Sequence, residues 1–409
     1  MTPQCSITNA ETPALLRPRG SNHVGMRAFN ERVVLQAIRL NGSLPKAELA
    51  RLTHLTAQTI GLITTRLEED HLVMKHERVR GRIGQPSVPL SLNPDGAFSI
   101  GIKIGRRSTE WLLVDFTGQV RKRQILDYDF PDAKTLLPIL GQRMTAMRDE
   151  LGALSLRLVG VGVAAPFQMG GWHKMLNLSE AQSNEWNQID LRAQVQAMTD
   201  VPVSFVKDTS SACVAELVTG RGRDLKSFLY LFVDTFVGGG LVLNSHLHLG
   251  LHGNAGAVAS LPTSMTQGIT PPEQLISQSS LWELEQRFIA QNLDPSAAYD
   301  ERALSAPYER ETSAWVAHAA NALAHCVVSG MAFLDIDAVV IDGSFCRPLL
   351  TQVIEQTNEA LQRYNWEGLW STTVMAGSVG PDAGALGGAL LPLHANFAPD
   401  QDLFLKVGV

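Results

Sequence analysis

The 409-residue sequence contains little cysteine, and its four cysteines are far apart. Cys5, Cys213, Cys326 and Cys346 include no CxxC pair, which argues against a disulfide framework and against a thiolate zinc cluster. The sequence also has no run of 18 apolar residues, and its first 20 residues lack the apolar core of a signal peptide. We therefore expect reduced thiols, no transmembrane helix and a cytoplasmic protein.

Charge is distributed unevenly along the chain. Residues 1–90 contain 12 Lys and Arg and 7 Asp and Glu, a net charge of +5. The whole chain carries −6, so the remaining residues carry −11. A basic N-terminal part on an acidic body indicates a polyanionic partner for the N-terminal part alone.

Three helical patterns follow one another between Phe29 and Val73. The first ends at Gly42, the second is expected to begin at Ser43 as N-cap, and the third begins at Thr56. Two helices joined by such a short break predict a helix-turn-helix, whose second helix presents side chains to base edges and phosphates. The residues predicted to contact DNA here are Lys46, Thr56, Ala57, Gln58, Thr59, Thr64 and Arg66.

The segment after the third helix predicts two short strands around a basic loop. Arg78, Arg80 and Arg82 lie in this loop, and such a wing places its cations along phosphates. A generic three-helix bundle with a solvated basic face is the alternative. The order of break, cap, polar helix and basic loop favours DNA binding.

From residue 97 onward, apolar strands alternate with helical segments. Strands are predicted at 99–104, 111–115, 158–164, 203–206, 228–233, 239–243 and 338–341, and helices at 133–151, 190–198, 210–218, 279–291, 312–334, 347–363 and 381–393. Two glycine-interrupted hairpins form a weak internal repeat, which predicts an α/β protein of two similar lobes. The small residues of DAGALGGALL permit close packing of the last helix against the first lobe.

The ordered motifs resemble the ROK family (repressors, open reading frames and kinases) over almost the whole chain. The motifs that carry the resemblance are NERVVLQAIRLNGSLPKAELARLTHLTAQTI, GIKIG…LLVDFTG, GVGVAAPF, NL…W, PVSFVKDTSSACVAE, VGGGLVLNSHLHLGLHGNAGAVAS and DAGALGGALL. The resemblance implies an α/β fold with an N-terminal winged helix-turn-helix followed by a two-lobed actin-like (RNase H-like) sugar-kinase fold.

The expected boundaries follow from this arrangement. They are a flexible arm at 1–22, a winged helix-turn-helix at 23–95, a first kinase-like lobe at 96–206 that is completed by about 381–409, and a second lobe at 207–380.

The resemblance places the sugar-contacting base of the kinases at Asp208, with Lys207 where active members have Asn. Asp208 would contact a sugar hydroxyl as a vestigial catalytic residue, or would only cap the following helix. Asn177 and Asn254 suit paired sugar hydroxyls, although Asn177 could equally be a turn residue. Ser260 stands where the family has a histidine, and the family's sugar-gripping glutamate is an alanine here, which leaves the ligand open.

At several phosphate-binding positions implied by the resemblance, this sequence has residues other than those of the active kinases. Lys103 replaces an acidic residue that helps to organise Mg²⁺, and two arginines follow Gly105. In the second hairpin, Asp234-Thr235-Phe236 replaces a glycine-rich turn, and an aspartate precedes Gly343 in the adenosine region. The degenerate phosphate positions are Lys103, Gly105, Thr235, Gly238 and Gly239. We therefore expect neither ATP nor Mg²⁺ as a cofactor, with a divergent kinase as the alternative.

The family's zinc cysteines are absent from this sequence, so we expect no metal cofactor. His246, His248 and His252 form a string that would be the alternative ligand set, although solvated or hydrogen-bonded histidines are the favoured interpretation.

Together these features predict a DNA-binding transcriptional regulator, a repressor of carbohydrate uptake or catabolism genes. Its partners would be a double-stranded operator, a sugar or sugar phosphate effector, and further copies of itself in a homodimer or homotetramer. Two alternatives are an active sugar kinase with a DNA-binding head, and a DNA-binding protein whose body only dimerises.

Overall fold

The computed structural model describes residues 23–77, 88–173, 175–176, 178–265 and 271–399. The predictions for the arm, for Arg78, Arg80 and Arg82 of the wing, and for Asn177 fall outside the described residues.

The N-terminal head contains three helices and a small sheet. Its elements are α1 (His23–Asn41), β1 (Ser43–Pro45), α2 (Lys46–Thr53), α3 (Ala57–Glu69), β2 (Val73–Lys75) and β3 (Pro89–Leu92). The strands form an antiparallel sheet in the order β1-β3-β2. Buried aliphatic side chains from all three helices and from β2 and β3 form its core. This arrangement confirms the predicted three helices with α2 and α3 joined by a tight turn.

The ends of these helices show how the sequence builds the turn. Gly42 follows α1 in the left-handed region at φ +78°, as a C′ glycine should. Thr56 caps α3, because its side-chain oxygen accepts from the Thr59 backbone N–H at 3.2 Å. The prediction of Ser43 as the cap of α2 is wrong: Ser43 lies in β1, paired with Ser91, and Pro45 precedes the helix.

The first lobe is built on a five-stranded sheet in the order β6-β5-β4-β7-β8. Its elements are β4 (Phe98–Ile104), β5 (Ser108–Asp115), β6 (Val120–Asp127), α4 (Ala133–Asp149), β7 (Leu158–Ala165), α5 (Glu180–Asn187), α6 (Leu191–Gln196) and β8 (Val203–Lys207). Strands β4, β5 and β6 are antiparallel, whereas β7 and β8 continue the sheet in parallel from β4.

The second lobe repeats this sheet topology. Its elements are α7 (Asp208–Thr219), β9 (Phe228–Val233), β10 (Gly238–Leu243), β11 (His246–His248), α8 (Leu275–Ser279), α9 (Leu281–Ala290), α10 (Glu309–Leu334), β12 (Ala338–Gly343), α11 (Arg347–Leu361) and β13 (Val374–Ala376). The order is β11-β10-β9-β12-β13, with the first three strands antiparallel and the last two parallel to β9. The repeat confirms the prediction of two similar lobes, although β6, β11, β13, α5 and α8 were not predicted.

The last helix, α12 (Ala383–Phe397), packs against the first sheet and against α7 at backbone distance. A Cβ on Gly101 of β4 would lie 1.9 Å from the Ala385 carbonyl oxygen. A Cβ on Gly387 would lie 1.8 Å from the carbonyl oxygen of Ser211 in α7. Only glycine permits this approach, so the small residues of the last helix pack it against the first lobe, as predicted. Its equally close contact with α7 was not predicted.

The head is docked on the body through α1 and the end of α12. The Arg39 guanidinium lies 5.1 Å from the centre of the Phe116 ring, and this ring meets Phe397 edge-on at 4.6 Å. Burial lowers the pKa of Arg39 to about 10, although the Asp115 carboxylate opposes this shift. Arg223 also donates to the Leu40 carbonyl at 3.2 Å.

One helix of the described residues, α10, is long and apolar enough to cross a membrane by length and composition alone. We expected no such helix from the sequence, because no run of 18 apolar residues occurs in it. Half of its most apolar window is buried, and Trp315, Val316 and Leu323 lie in the core of the second lobe.

We predict that Gly387→Ala lowers the stability of the full chain by about 3 kcal/mol, because the added Cβ forces α12 away from α7. The matched control is Gly141→Ala in α4, where the Cβ would lie 3.4 Å from the Met198 sulfur. That change should be neutral or stabilising by about 0.5–1 kcal/mol. Urea unfolding of the three proteins measures the difference, and equal midpoints would contradict the close packing.

Candidate functional site

A cleft lies where the turns of both sheets meet the first turn of α7 and the start of α12. The residues around it include Lys103, Gly105, Arg106, Asp208, Asp234 and Thr235. The fold therefore brings together the predicted sugar-contacting aspartate and three of the five predicted phosphate positions. The other two, Gly238 and Gly239, lie behind the second turn, against Thr209 and Gly256.

The positively charged Lys103 side chain lies in this cleft. Its Nζ donates to Asp234 Oδ2 at 2.7 Å and lies 3.6 Å from Glu110 Oε1, and the residue is only 4% exposed. Burial disfavours the ammonium, but the two carboxylates outweigh burial and hold the pKa of Lys103 above its usual value. A charged lysine thus links the first hairpin of one lobe to that of the other.

The carboxylates around Lys103 respond differently to their surroundings. Burial raises the pKa of Asp234, but the Lys103 ammonium outweighs burial and leaves that pKa below its ordinary value. Burial also raises the pKa of Glu110, and there it prevails over Lys103. Asp234 is therefore the main counter-ion of Lys103.

The two arginines after Gly105 also reach across the cleft. The Arg106 guanidinium lies 4.9 Å from the centre of the Phe236 ring, and the Arg107 Nη2 donates to Glu285 Oε2 at 2.9 Å. Tyr299 donates its hydroxyl to the other oxygen of Glu285 at 2.6 Å. Sequence reasoning missed Glu285 and Tyr299, because nothing in their local pattern distinguishes a buried ion-pair partner from a helix-surface residue.

The adenosine region contains a third internal ion pair. Asp342 is fully buried and accepts from Arg347 Nη1 at 2.7 Å and from the Gly380 N–H at 2.8 Å. The same arginine nitrogen donates to the Gly377 carbonyl at 3.1 Å. The aspartate that replaces a family glycine is therefore satisfied within the protein.

Asp208 lies at the first turn of α7 and faces the cleft. Its Oδ1 accepts from the Thr209 N–H at 2.7 Å, and no hydrogen bond to its Oδ2 is found among the described residues. The N-cap of α7 is Lys207, with no side-chain cap bond, so Asp208 does not cap the helix in the predicted way. Its contact with a sugar hydroxyl stays a prediction. The neighbouring Lys207 Nζ donates to Asn254 Oδ1 at 3.3 Å.

Ser260, the remaining predicted sugar contact, is exposed and is not among the residues around the cleft. Its carbonyl accepts from the Gln274 side chain at 3.2 Å. The histidine string also lies elsewhere: His246 and His248 are in β11. No group of three or more metal-ligating side chains occurs in the part of the chain that the structure describes.

The exposed face of α3 differs from the predicted one. Ala57 and Gln58 are exposed as expected, but Thr64 is 0% exposed and donates its hydroxyl to the Ile60 carbonyl at 2.8 Å. The prediction that Thr64 is exposed is wrong, because it lies on the core face one turn after Ile60. The exposed positions are instead Leu62 and Thr65, four and seven residues after Gln58.

The two predicted DNA-contacting cations of the helix-turn-helix, Arg66 and Lys46, are only partly exposed for contact with phosphates. Arg66 pairs with Glu31 of α1 at 2.7 Å, so it fastens α3 to α1 rather than extending freely towards a phosphate. Lys46 is half-buried at the start of α2, and Thr59 is half-buried with its hydroxyl 2.9 Å from that of Thr56.

We predict that Lys103→Met lowers the free energy of unfolding by about 3–5 kcal/mol, because it leaves buried carboxylates without a counter-charge. Adding Asp234→Asn should recover part of that loss. Lys122→Met is the control, since Lys122 pairs with Glu150 at the surface and should change stability by less than about 1 kcal/mol. Urea unfolding measures all four proteins. Equal losses for Lys103 and Lys122 would show that the interlobe pair contributes little.

Comparison with known proteins gives the family. The xylose repressor of Bacillus subtilis (strain 168) is 22% identical over 259 residues, which cover 63% of this chain and 66%, just under two thirds, of the repressor. A solved ROK family transcriptional regulator, a homolog of the E. coli MLC protein, shares the fold with a TM-score of 0.67 and 17% identity over 92% of this chain and 98% of that one. The ROK hexokinase of Thermus thermophilus matches 72% of this chain and 97% of its own, with a TM-score of 0.53 and 21% identity. The ROK family model matches residues 99–395, well over half of the sequence, and the chain therefore belongs to the ROK family.

Proposed function

We propose that this protein is a sugar-responsive transcriptional repressor of carbohydrate uptake or catabolism genes, acting in the cytoplasm. The observation that carries the proposal is a helix-turn-helix docked on a kinase-like body whose phosphate cleft is occupied by the Lys103–Asp234 ion pair. The similarity to the xylose repressor and to the solved transcriptional regulator supports it. A homodimer or homotetramer would present two recognition helices to a palindromic operator.

Sugar would enter the interlobe cleft and place a hydroxyl against Asp208. Asp208 begins α7, which packs on α12 at backbone distance, and α12 ends at Phe397 beside the docked head. A change in lobe closure would therefore shift the head through a rigid element. Operator half-sites are read one helical turn apart or a multiple of it, so a small rotation of two heads prevents simultaneous docking.

Chemical transfer of a phosphate is disfavoured by the charges in the cleft. A kinase needs Mg²⁺ and backbone N–H groups around the phosphates. Here the Lys103 ammonium takes the place of a carboxylate, and the Phe236 ring and the Arg106 guanidinium lie at the second turn. The kinase hypothesis is favoured by one observation, the retained Asp208 facing the cleft.

Binding to DNA is tested with an operator selected from a random duplex pool. We predict that Gln58→Ala weakens operator binding about tenfold or more, because an exposed amide on α3 can read an adenine edge. Binding should also weaken steeply with salt. The matched control is Gln352→Ala, an exposed glutamine on α11, which should bind like the unchanged protein. Failure to select any duplex would contradict the proposal.

Kinase activity is tested with Mg-ATP and a panel of hexoses and pentoses in a coupled assay. We predict no sugar-dependent turnover, because internal ion pairs occupy the phosphate turns and the adenosine region. The control is Asp208→Asn, which should leave this background unchanged. Turnover that disappears in the Asp208→Asn protein would instead establish the kinase.

A further inference from the structure

Gly61 lies within α3 at a place where the fold itself does not require glycine. A Cβ on Gly61 would meet no atom within 4 Å, and its φ is not in the left-handed region. Four other glycines have the same open space, and a positive φ accounts for each of them: Gly42, Gly152, Gly253 and Gly368. Glycine in a helix interior is less stable than alanine, because it loses more backbone freedom on folding. Alanine would therefore suit the protein on its own better, and the glycine leaves space for an approaching partner.

Gly61 belongs to a narrow face of α3 that carries apolar groups. The face begins at the exposed Gln58. Gly61, Leu62 and Thr65 follow it by three, four and seven residues, the spacing that places helix residues beside one another. Leu62 is 64% exposed. The Thr65 hydroxyl donates to the Gly61 carbonyl at 2.9 Å, so its methyl group is left for outside contacts. This face therefore offers a partner one amide and several apolar contacts, without a charge.

The partner that fits this face is the major groove of DNA. The first 90 residues carry a net charge of +5, and α3 is the second helix of the helix-turn-helix. Arg66, the one Lys or Arg of α3, pairs with Glu31 at 2.7 Å, whereas guanine is most often read by an arginine or a lysine. Amides read adenine, and apolar side chains contact the C5-methyl group of thymine. The face therefore suits A·T base pairs better than G·C base pairs.

We propose that Gly61 and Leu62 together recognise a thymine in each half-site of the operator. The Leu62 side chain packs on the thymine C5-methyl group, and the missing side chain of Gly61 lets the base edge approach the helix backbone. Gln58, one turn earlier, reads an adenine of the same half-site. This inference rests on the proposed function, because it names the bases that the same head contacts.

The experiment uses the full chain and the operator selected from the random duplex pool. Each thymine of a half-site is replaced in turn by deoxyuridine, which lacks only the C5-methyl group. At one thymine this replacement should weaken binding about fourfold, the equivalent of one buried methylene group. Binding that is insensitive to deoxyuridine at every thymine, or a selected half-site without thymine, overturns the inference.

Leu62→Ala tests which side chain contacts that methyl group. The Leu62→Ala protein should bind the thymine and deoxyuridine duplexes with equal affinity, because the methyl group has lost its partner. The control is Leu156→Ala, an 89% exposed leucine in the first lobe, which should retain the fourfold difference. A difference that persists in the Leu62→Ala protein assigns the methyl contact to another residue and contradicts the inference.

Gly61→Ala separates the close approach of DNA from an effect on folding. The added methyl group should raise the midpoint of urea unfolding or leave it unchanged. Operator binding should nevertheless weaken about tenfold or more, because the methyl group takes the space of the base edge. The control is Gly141→Ala in α4, which should bind like the unchanged protein. Binding by the Gly61→Ala protein that is as tight as that of the unchanged protein overturns the close approach.

The selection of the duplex distinguishes this inference from the proposed function. A selected operator whose binding does not depend on any thymine methyl group leaves the repressor standing and overturns the role of Gly61 and Leu62. Selection of no sequence at all contradicts both.

Discussion

The close approach of α12 to its neighbours is the constraint on which the rest of the structure depends. Carbonyl oxygens occupy the places where Cβ atoms of Gly101, Gly162 and Gly387 would lie, so one helix contacts the first sheet and α7 through backbone. The first turn of α12 also supports Lys103, whose methylene chain lies over Gly384. One glycine-rich helix thus fixes the cleft, the lobe junction and the surface that receives the head.

The Lys103–Asp234 pair explains how the cleft keeps its shape without phosphate. In a nucleotide site, anionic phosphates and Mg²⁺ hold two turns together. Here the two turns are held by a side-chain ion pair from within the chain, at 2.7 Å. The pair is nearly buried. Removing one partner therefore lowers the free energy of unfolding, because a buried charge is left unpaired, whereas replacing both partners by uncharged residues costs less. The contact between the two lobes is therefore held by two side chains of the protein, in place of phosphates and Mg²⁺.

Periodicity predicted most of the buried strands and long helices, and the small residues of α12 predicted its packing against the first lobe. The short edge strands β11 and β13 were missed, because three residues carry too little pattern to be distinguished from loops. In the site, Asp208 and Lys103, which the family resemblance singled out, lie around one cleft, and their roles stay predictions. The Glu285 partner of Arg107 is 178 residues away, and single-sequence patterns carry no information on such pairs. Thr64 was assigned to the exposed face although the helical repeat from Ile60 places it inside.

The cleft joins the two lobes through side chains that belong to the protein. Arg106 of the first hairpin rests on the Phe236 ring of the second, and Lys103 pairs with Asp234. A ligand shifts a conformational equilibrium only by its difference in affinity between the two states. The head, docked through Arg39 and Phe116, then follows whichever lobe arrangement the ligand favours.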